Sequence, residues 1–239
     1  MFSIPVLIKR FCKLLGEKKL LEVSPIVKYS ALSLFVERFY PALSRFEDDK
    51  GTKNWLLHPI RESNLQLFAL VSIWLSSKIH DMTPLSVEVL KSFGDDFIKE
   101  QHYTKRDLLD AEMILMQVLK FEIGTSHIAF IMVDELLSQL KVIARVGEHV
   151  NFEVCMDVLD LLYEKEATSL LYNSPCFLAA SILVVAYVIS VPAQKWEFPI
   201  LPWVKFVTSY KEEEIMCCVR DILKHIFEPQ ADYGDPKLN

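Results

Sequence analysis

The amino-acid sequence predicts an all-α protein. Hydrophobic residues make up 51% of the 239 residues and mean hydropathy is +0.23, so the chain can bury a large core. Only 6 residues are glycine, and apolar residues recur at helical spacing rather than in the alternation typical of strands. The length fits one large domain or two domains of about 100–120 residues.

Several helix starts are marked in the sequence. Three Ser/Thr-Pro pairs stand where helical periodicity begins: Ser24-Pro25, Thr83-Pro84 and Ser174-Pro175. In each pair the hydroxyl predicts an N-cap, and proline suits the first helical position because its missing N–H needs no partner there. Thr104 precedes Asp107 by three residues, which predicts a capping box. The Ser/Thr-Pro pairs are also minimal motifs for proline-directed phosphorylation, an alternative that the sequence leaves open.

These starts and the apolar periodicity together predict nine helices. They are expected over residues 5–20, 25–43, 62–80, 84–93, 105–120, 126–143, 150–163, 174–190 and 210–227. The polar run SRFEDDKGTKN, residues 44–54, is predicted to be a surface loop.

One order of elements occurs twice. An apolar helix rich in small residues, 65–79, is followed by an amphipathic helix that closes in DLLDAEMILMQVLKF. The same order follows in residues 176–190 and the segment YKEEEIMCCVRDILKHIF, at an offset of about 105–110 residues. We therefore predict two tandem five-helix units, each around a buried central helix. The predicted domains are residues 1–122 and 123–228, and residues 229–239 are predicted to form a flexible tail.

Composition and motifs argue against several classes of function. The formal net charge of −6 argues against non-specific nucleic-acid binding, which needs a positive surface. No Gly-rich phosphate loop, HExxH or GxSxG motif is present, so we expect no enzyme and no cofactor, metal or small-molecule site. The five cysteines include no CxxC pair and are predicted to be buried free thiols in a reducing compartment.

One segment has a composition close to that of a membrane helix. PCFLAASILVVAYVISVPA, residues 175–193, is apolar over about 18 residues, the lower limit for a membrane span. Polar interruptions, a closing proline and the absence of a nearby basic flank favour a buried core helix instead. We therefore expect no membrane association and a location in the nucleus, the cytoplasm or both, with a small helical membrane protein as the alternative.

Two charged residues stand within apolar helices. Lys78 ends the helix at 62–80 near the row of Val71 and Trp74, and Glu112 falls on the same stripe as Leu108. A lone carboxylate at a core face is costly without a cation or several donors. We predict that the two form a part-buried pair with donors and an acceptor left over for an incoming backbone. The alternatives are a lysine that only complements its helix dipole and a separately satisfied carboxylate at the rim.

Four segments resemble the cyclin family. ALVSIWLSSKIHDMTP resembles the cyclin-box segment in which a small-residue central helix ends in Lys before a Pro-bounded turn. DLLDAEMILMQVLKFEIGTSH is similar to the closing helix of that box, and SALSLFVERFYPAL to its segment with an acidic residue before Arg-Phe. SPCFLAASILVVAYV resembles the central helix of the second cyclin fold. The similarity spans about residues 7–227, and the short chain with its divergent box is most like a plant J-type cyclin.

The resemblance implies two cyclin folds in tandem and a non-catalytic subunit that binds and activates a cyclin-dependent serine/threonine kinase in cell-cycle control. It implies that Lys78 and Glu112 hydrogen-bond backbone groups of the kinase. Glu37 matches a structural acidic position, and its expected partner is Arg10. Four apolar residues are expected to line the kinase contact: Leu85, Val89, Phe93 and Ile123.

Two alternatives share the fold. A two-box transcription-associated factor would present a basic surface to DNA and usually carries a zinc ribbon, and a helical scaffold would bind proteins without activating a kinase. The net charge of −6 and the lack of a cysteine ligand set favour the kinase regulator over the transcription factor. At the residues after Lys78, the sequence Ile79-His80-Asp81 departs from the family's acidic pattern.

Overall fold

The computed structural model describes residues 23–43, 45–46, 54–124, 127–164 and 174–227, and every regular element in these ranges is helical. The elements are α1 (Pro25–Leu32), a π-helical segment (Ser33–Phe39), α2 (Tyr40–Leu43), α3 (Glu62–His80), α4 (Val87–Phe97), α5 (Lys105–Val118), α6 (Ala129–Ile143), α7 (Phe152–Glu164), α8 (Pro175–Ser190), α9 (Ile200–Thr208) and α10 (Glu212–Phe227), with short 3-10 turns at Arg145–His149 and Ala193–Lys195. The all-α prediction is confirmed, and the predicted helix at 5–20 lies outside the described residues.

Two of the predicted caps are present as expected. The Asp107 N–H donates to Thr104 Oγ1 at 3.2 Å, and the Thr104 N–H donates to Asp107 Oδ2 at 2.7 Å, which completes the capping box of α5. The Phe177 N–H donates to Ser174 Oγ at 3.4 Å, and Pro175 is the first residue of α8. Local capping chemistry therefore sets both helix starts.

The predicted start of the fourth helix at residues 83–84 is wrong. Helix α4 begins at Val87, with Ser86 as its N-cap, and continues to Phe97. The backbone of Leu85 explains the difference, because its N–H and C=O are both bonded to side chains of α3 and so cannot enter a helix.

Helix α9 is absent from the sequence prediction. Pro199 and Pro202 interrupt the apolar pattern there, and a proline usually argues against a helix. Here Pro199 is the N-cap and Pro202 lies in the first turn, where backbone N–H groups have no intrahelical acceptor. The helix ends at Ser209, whose φ of 63° is left-handed.

The chain divides into two compact units. Within the described ranges, one comprises the residues up to Ile131 together with Tyr163 and Glu164, and the other comprises Met132–Leu162 and residues 174–227. In the first unit α3 contacts α1, α4 and α5, and residues 63–77 are all buried. In the second unit α8 contacts α9 and α10, and residues 178–187 are all buried. Each apolar segment is thus a central buried helix, while the domain limits at residues 122 and 228 stay a prediction.

Three buried serines in the central helices have hydrogen-bond acceptors, whereas the buried Ser190 Oγ at the end of α8 has none in the part of the chain that the structure describes. In α3, Ser76 Oγ donates to the Val27 carbonyl of α1 at 2.9 Å, and Ser72 Oγ donates to a carbonyl one turn earlier at 2.8 Å. Ser181 of α8 makes the same one-turn bond at 3.0 Å. These small satisfied side chains let neighbouring helices pack closely without an unpaired polar group. Over the part of the chain that the structure describes, no helix is both long and apolar enough to cross a membrane.

Candidate functional site

Lys78 and Glu112 form an ion pair in the first unit. Lys78 lies in the last turn of α3 and Glu112 in the middle of α5, and these two helices are in contact. Lys78 Nζ lies 2.6 Å from Glu112 Oε1, and the two side chains are 36% and 12% exposed. The structure therefore contains the predicted part-buried pair at the edge of the core, and its role toward a partner stays a prediction.

Trp74 holds the lysine from one turn earlier on α3. Lys78 Nζ lies 3.4 Å from the centroid of the Trp74 ring, within cation–π range. The indole N–H of Trp74 donates to the Leu85 carbonyl at 2.8 Å, and the Leu85 N–H donates to Ser77 Oγ at 3.2 Å. The indole thus fixes both the ammonium group and the segment after α3, a role that sequence analysis did not assign.

The pair keeps unused hydrogen-bonding capacity. An ammonium group has three donors, and a carboxylate has two acceptor oxygens. In the described ranges the Lys78 ammonium donates only to Glu112 Oε1, and Glu112 Oε2 accepts no hydrogen bond. Lys78 can therefore donate to a carbonyl of another chain while Glu112 accepts from an amide, both as charge-assisted bonds.

Apolar side chains surround this edge unevenly. Leu85 and Ile123 are partly exposed and Val89 is exposed, so all three are accessible to another protein. Phe93 is only 3% exposed and lies on the buried side of α4. A helical-wheel plot places Phe93 and Val89 on one side of their helix, but only the packing of the whole unit shows which of them is covered.

Further exposed apolar residues were not identified from sequence. Leu109 and Met113 are exposed on α5, Met82 is exposed in the turn after α3, and Phe121 is exposed after α5. The signal for the first two is their i, i+4 spacing beside Glu112, which puts them on the outer face of α5. Together with Val89 they are exposed apolar side chains of the unit that carries the ion pair.

Arg38 fixes the segment that follows α5. Its guanidinium donates to the Gly124 carbonyl at 2.8 Å and also to the Glu122 carbonyl. Lys120 and Phe121 turn the chain there with left-handed φ values of 53° and 61°. Arg38 belongs to the box motif identified in the sequence, and the structure shows that it holds the backbone near the predicted contact residue Ile123.

Glu37 is held inside the first unit by hydroxyl groups. It lies in the π-helical segment, and its two oxygens accept from Ser33 Oγ at 2.6 Å and Tyr163 Oη at 2.8 Å. Burial raises the pKa of Glu37 above its ordinary value, and the two hydrogen bonds and the nearby Arg38 oppose that shift only in part. The predicted partner Arg10 lies outside the described residues, so the Glu37–Arg10 pair stays a prediction.

The residues after Lys78 bond within the first unit. Asp81 Oδ1 accepts from Ser24 Oγ at 2.8 Å, so this hydroxyl ties the start of α1 to the end of α3 instead of capping α1. His80 Nε2 lies 3.2 Å from Ser30 Oγ, and burial lowers the pKa of His80 below its ordinary value. The departure from the family's acidic pattern is thus accompanied by two contacts that fasten α3 to α1.

Comparisons with known proteins agree on one family. A family profile described as "Cyclin, N-terminal domain" matches residues 54–124. The chain is 58% identical over 213 residues to Cyclin-J18 of Arabidopsis thaliana, covering 89% of this chain and 91% of that protein. It is 51% identical over 220 residues to Cyclin-J18-like of Oryza sativa subsp. japonica, covering 90% and 84%. The X-ray structure of a viral cyclin from herpesvirus saimiri has the same fold, with a TM-score of 0.65, 16% identity, and coverage of 93% of this chain and 83% of that one.

Proposed function

Because this chain belongs to the cyclin family, as its motifs predicted, we propose that it is a non-catalytic regulatory subunit of a cyclin-dependent serine/threonine kinase in cell-cycle control. Its similarity to plant J-type cyclins, also predicted, is confirmed by the two plant relatives. The kinase, the heterodimer and the place of action in the nucleus or cytoplasm are parts of the proposal.

The observation that carries the proposal is the Lys78–Glu112 pair. It lies at a partly exposed edge, with Nζ and Oε1 2.6 Å apart and the indole of Trp74 against the ammonium group. The ammonium group has three donors and the carboxylate two acceptor oxygens, so donors and an acceptor remain available to a partner at this partly exposed edge. In this arrangement the pair suits a carbonyl and an amide on a neighbouring backbone.

The apolar surroundings support a protein partner. Val89, Leu109, Met113 and Phe121 are exposed on the same unit as the pair, and Leu85 and Ile123 are partly exposed. An interface with an apolar centre and few charged anchors is typical of stable protein–protein contacts. Phe93 supports α4 from the core in this proposal and does not touch the kinase directly.

The mechanism we infer is a shift of the kinase population. A surface that fits only the conformation with the kinase's regulatory helix turned inward stabilises that conformation by its differential affinity. In that conformation the kinase's catalytic Lys–Glu pair is aligned for phosphoryl transfer. The cyclin then contributes no reacting group, and its α3–α5 edge supplies only binding energy.

A reconstitution experiment tests the proposal. The purified chain is mixed with purified cyclin-dependent kinases from the same organism, one at a time, and complex formation and phosphate transfer to a peptide are both measured. We expect a 1:1 complex with at least one kinase and a rise in its activity. A complex without increased activity would favour the scaffold, and salt-sensitive binding to duplex DNA without kinase binding would favour the transcription-associated factor.

A further inference from the structure

A cavity opens in the second unit among α8, α9, α10 and the segment from Trp196 to Pro199 that precedes α9. Its volume is about 470 Å³, which lies within the range of ligand and side-chain binding pockets. Val184 and Tyr187 line it from α8, and Met216 and Val219 from α10. Trp196, which is 49% exposed, stands in its wall.

The lining is apolar apart from one cation. The Tyr187 hydroxyl, the polar group on α8, already donates to the Phe198 carbonyl at 3.4 Å. Pro199 and Pro202 also line the cavity and have no backbone N–H to offer. Arg220 is the single charged residue of the lining; it is exposed, and across the described ranges it forms no ion pair.

Aligning the central helices α8 and α3 residue by residue relates this cavity to the Lys78–Glu112 pair of the first unit. Phe177 and Ser181 of α8 correspond to Phe68 and Ser72 of α3, since each serine bonds the phenylalanine carbonyl one turn earlier. On that register Tyr187 occupies the position of Lys78.

The closing helices give a matching register. Ile215, Cys218 and Ile222 of α10 are buried at the spacing of Leu108, Ala111 and Leu115 of α5, which places Val219 at the position of Glu112. The cavity therefore lies where the first unit has its ion pair.

We propose that this cavity docks a short acidic segment of a partner protein, with a bulky apolar side chain in the cavity and an adjacent carboxylate on Arg220. Charge complementarity selects the acidic residue, because the exposed guanidinium can bind a carboxylate in a bidentate manner. Trp, Met and Arg are the residue types that protein–protein contacts favour at their centres. A small molecule needs several convergent polar groups to fix its orientation, and this lining supplies one.

The test selects a random 12-residue peptide library against the full-length protein and measures binding of the enriched peptides by fluorescence polarisation. We expect acidic peptides with a bulky apolar residue. Arg220→Glu should weaken their binding at least about tenfold, the scale of a lost charge-assisted bond. Met216→Trp, which fills the cavity, should have a similar effect.

Matched controls lie on the same helix outside the lining. Lys224→Glu makes the same charge reversal one turn after Arg220, and Cys217→Trp adds the same indole at the exposed neighbour of Met216. Both controls should bind within about twofold of the unmodified protein, and circular-dichroism melts should show that all four variants fold.

Several results would overturn the inference. Failure to enrich any peptide would do so, as would neutral or basic peptides, or acidic peptides that bind Arg220→Glu and Met216→Trp unchanged. Saturable binding of laurate in the cavity without peptide binding would identify a small amphiphile as the occupant instead. A dimer in sedimentation that Met216→Trp converts to a monomer would identify a second copy of this chain. The inference does not depend on the kinase proposal, because the first-unit variant Lys78→Ala should leave peptide binding unchanged.

Discussion

The charged edge of the first unit and the cavity of the second are made from the same succession of three helices. In the first, Lys78 and Glu112 face each other 2.6 Å apart between α3 and α5. In the second, Tyr187 and Val219 take the corresponding positions, and both line an apolar cavity. The two regions thus differ mainly at two equivalent positions, which hold a cation and an anion in the first unit and a tyrosine and a valine in the second.

The first unit carries both charges at these positions and the second unit carries neither. Glu112 is mostly buried, and the free-energy cost of burying its carboxylate is offset by the ammonium group of Lys78. The indole of Trp74 packs against that ammonium group. The second unit has no cation on α8 at the matching position, and the residue facing it is an aliphatic valine. The buried carboxylate of Glu112 therefore needs the ammonium group of Lys78 more than Lys78 needs the carboxylate.

The largest expected effect is a loss of stability in the second unit. Val219→Glu places a carboxylate at a position that is 2% exposed, where Tyr187 on α8 takes the place that Lys78 has on α3. We expect the free energy of unfolding to fall by about 3–5 kcal/mol, the scale of an uncompensated buried charge. Urea denaturation measures it, and Arg220→Glu, the same substituent at the adjacent exposed position, should change stability little. Equal effects of the two substitutions would contradict the difference drawn between the units.

The reverse change converts the first unit toward the second. Lys78→Met combined with Glu112→Leu replaces the ion pair by apolar side chains of similar volume, and stability should stay within about 1 kcal/mol of the unmodified protein or rise. Kinase binding should fall by about 3 kcal/mol because both charged anchors are gone. Denaturation and calorimetry on the same samples separate the two quantities. A fall in stability with intact binding would show that the pair is structural only.

A smaller effect is expected from the support of Lys78. Trp74→Phe keeps an aromatic ring under the ammonium group but weakens the cation–π contact and removes the N–H bonded to the Leu85 carbonyl. We expect kinase affinity to fall by about 0.5–2 kcal/mol. The control is Trp203→Phe in the second unit, which should leave kinase affinity unchanged. An effect of Trp203→Phe as large as that of Trp74→Phe would contradict the assigned role.

The smallest effect concerns pH and Glu37. Burial raises the pKa of the Glu37 carboxyl in the folded protein above its value in the unfolded chain. The contribution of this carboxyl to the free energy of unfolding is therefore present below the unfolded-state pKa, and it is lost as pH rises through the folded-state pKa. Glu37→Gln removes that loss, so the stability of the variant relative to the unmodified protein should increase as pH rises above the ordinary pKa of a glutamate, about 4.3. Urea denaturation at a series of pH values measures it, with the exposed Glu148→Gln as control. A relative stability that falls with pH would indicate a cation beside Glu37, as the predicted Arg10 pair requires.

Local signals made much of the fold predictable from sequence. Capping residues such as Thr104 and Ser174 act over three residues, and the apolar runs of α3 and α8 are long enough to identify both central helices. One error arose where contacts outside the helix decide, because Leu85 stays out of α4 while α3 side chains bond its backbone. The other error was local, since Pro202 interrupts the pattern of α9 but lies in its first turn, where a proline is tolerated.

The candidate site was predictable to a similar degree. Lys78 and Glu112 could be identified because a charge on an apolar helical stripe is conspicuous in one sequence. The support from Trp74 and the burial of Phe93 depend on how α3, α4 and α5 pack, which no single helix reveals. The carbonyl contacts of Arg38 depend on the left-handed turn after α5 and were likewise beyond a sequence pattern.

The most direct test of the account is the affinity of Lys78→Ala for the kinase, measured by calorimetry on protein shown to be folded. We expect a loss of about 1.5–3 kcal/mol, the scale of charge-assisted hydrogen bonds to the kinase backbone. Lys205→Ala, which removes the lysine of the exposed Lys205–Glu212 pair at 3.2 Å in the second unit, should bind like the unmodified protein. A folded Lys78→Ala variant with unchanged affinity would contradict the claim that this pair anchors the kinase.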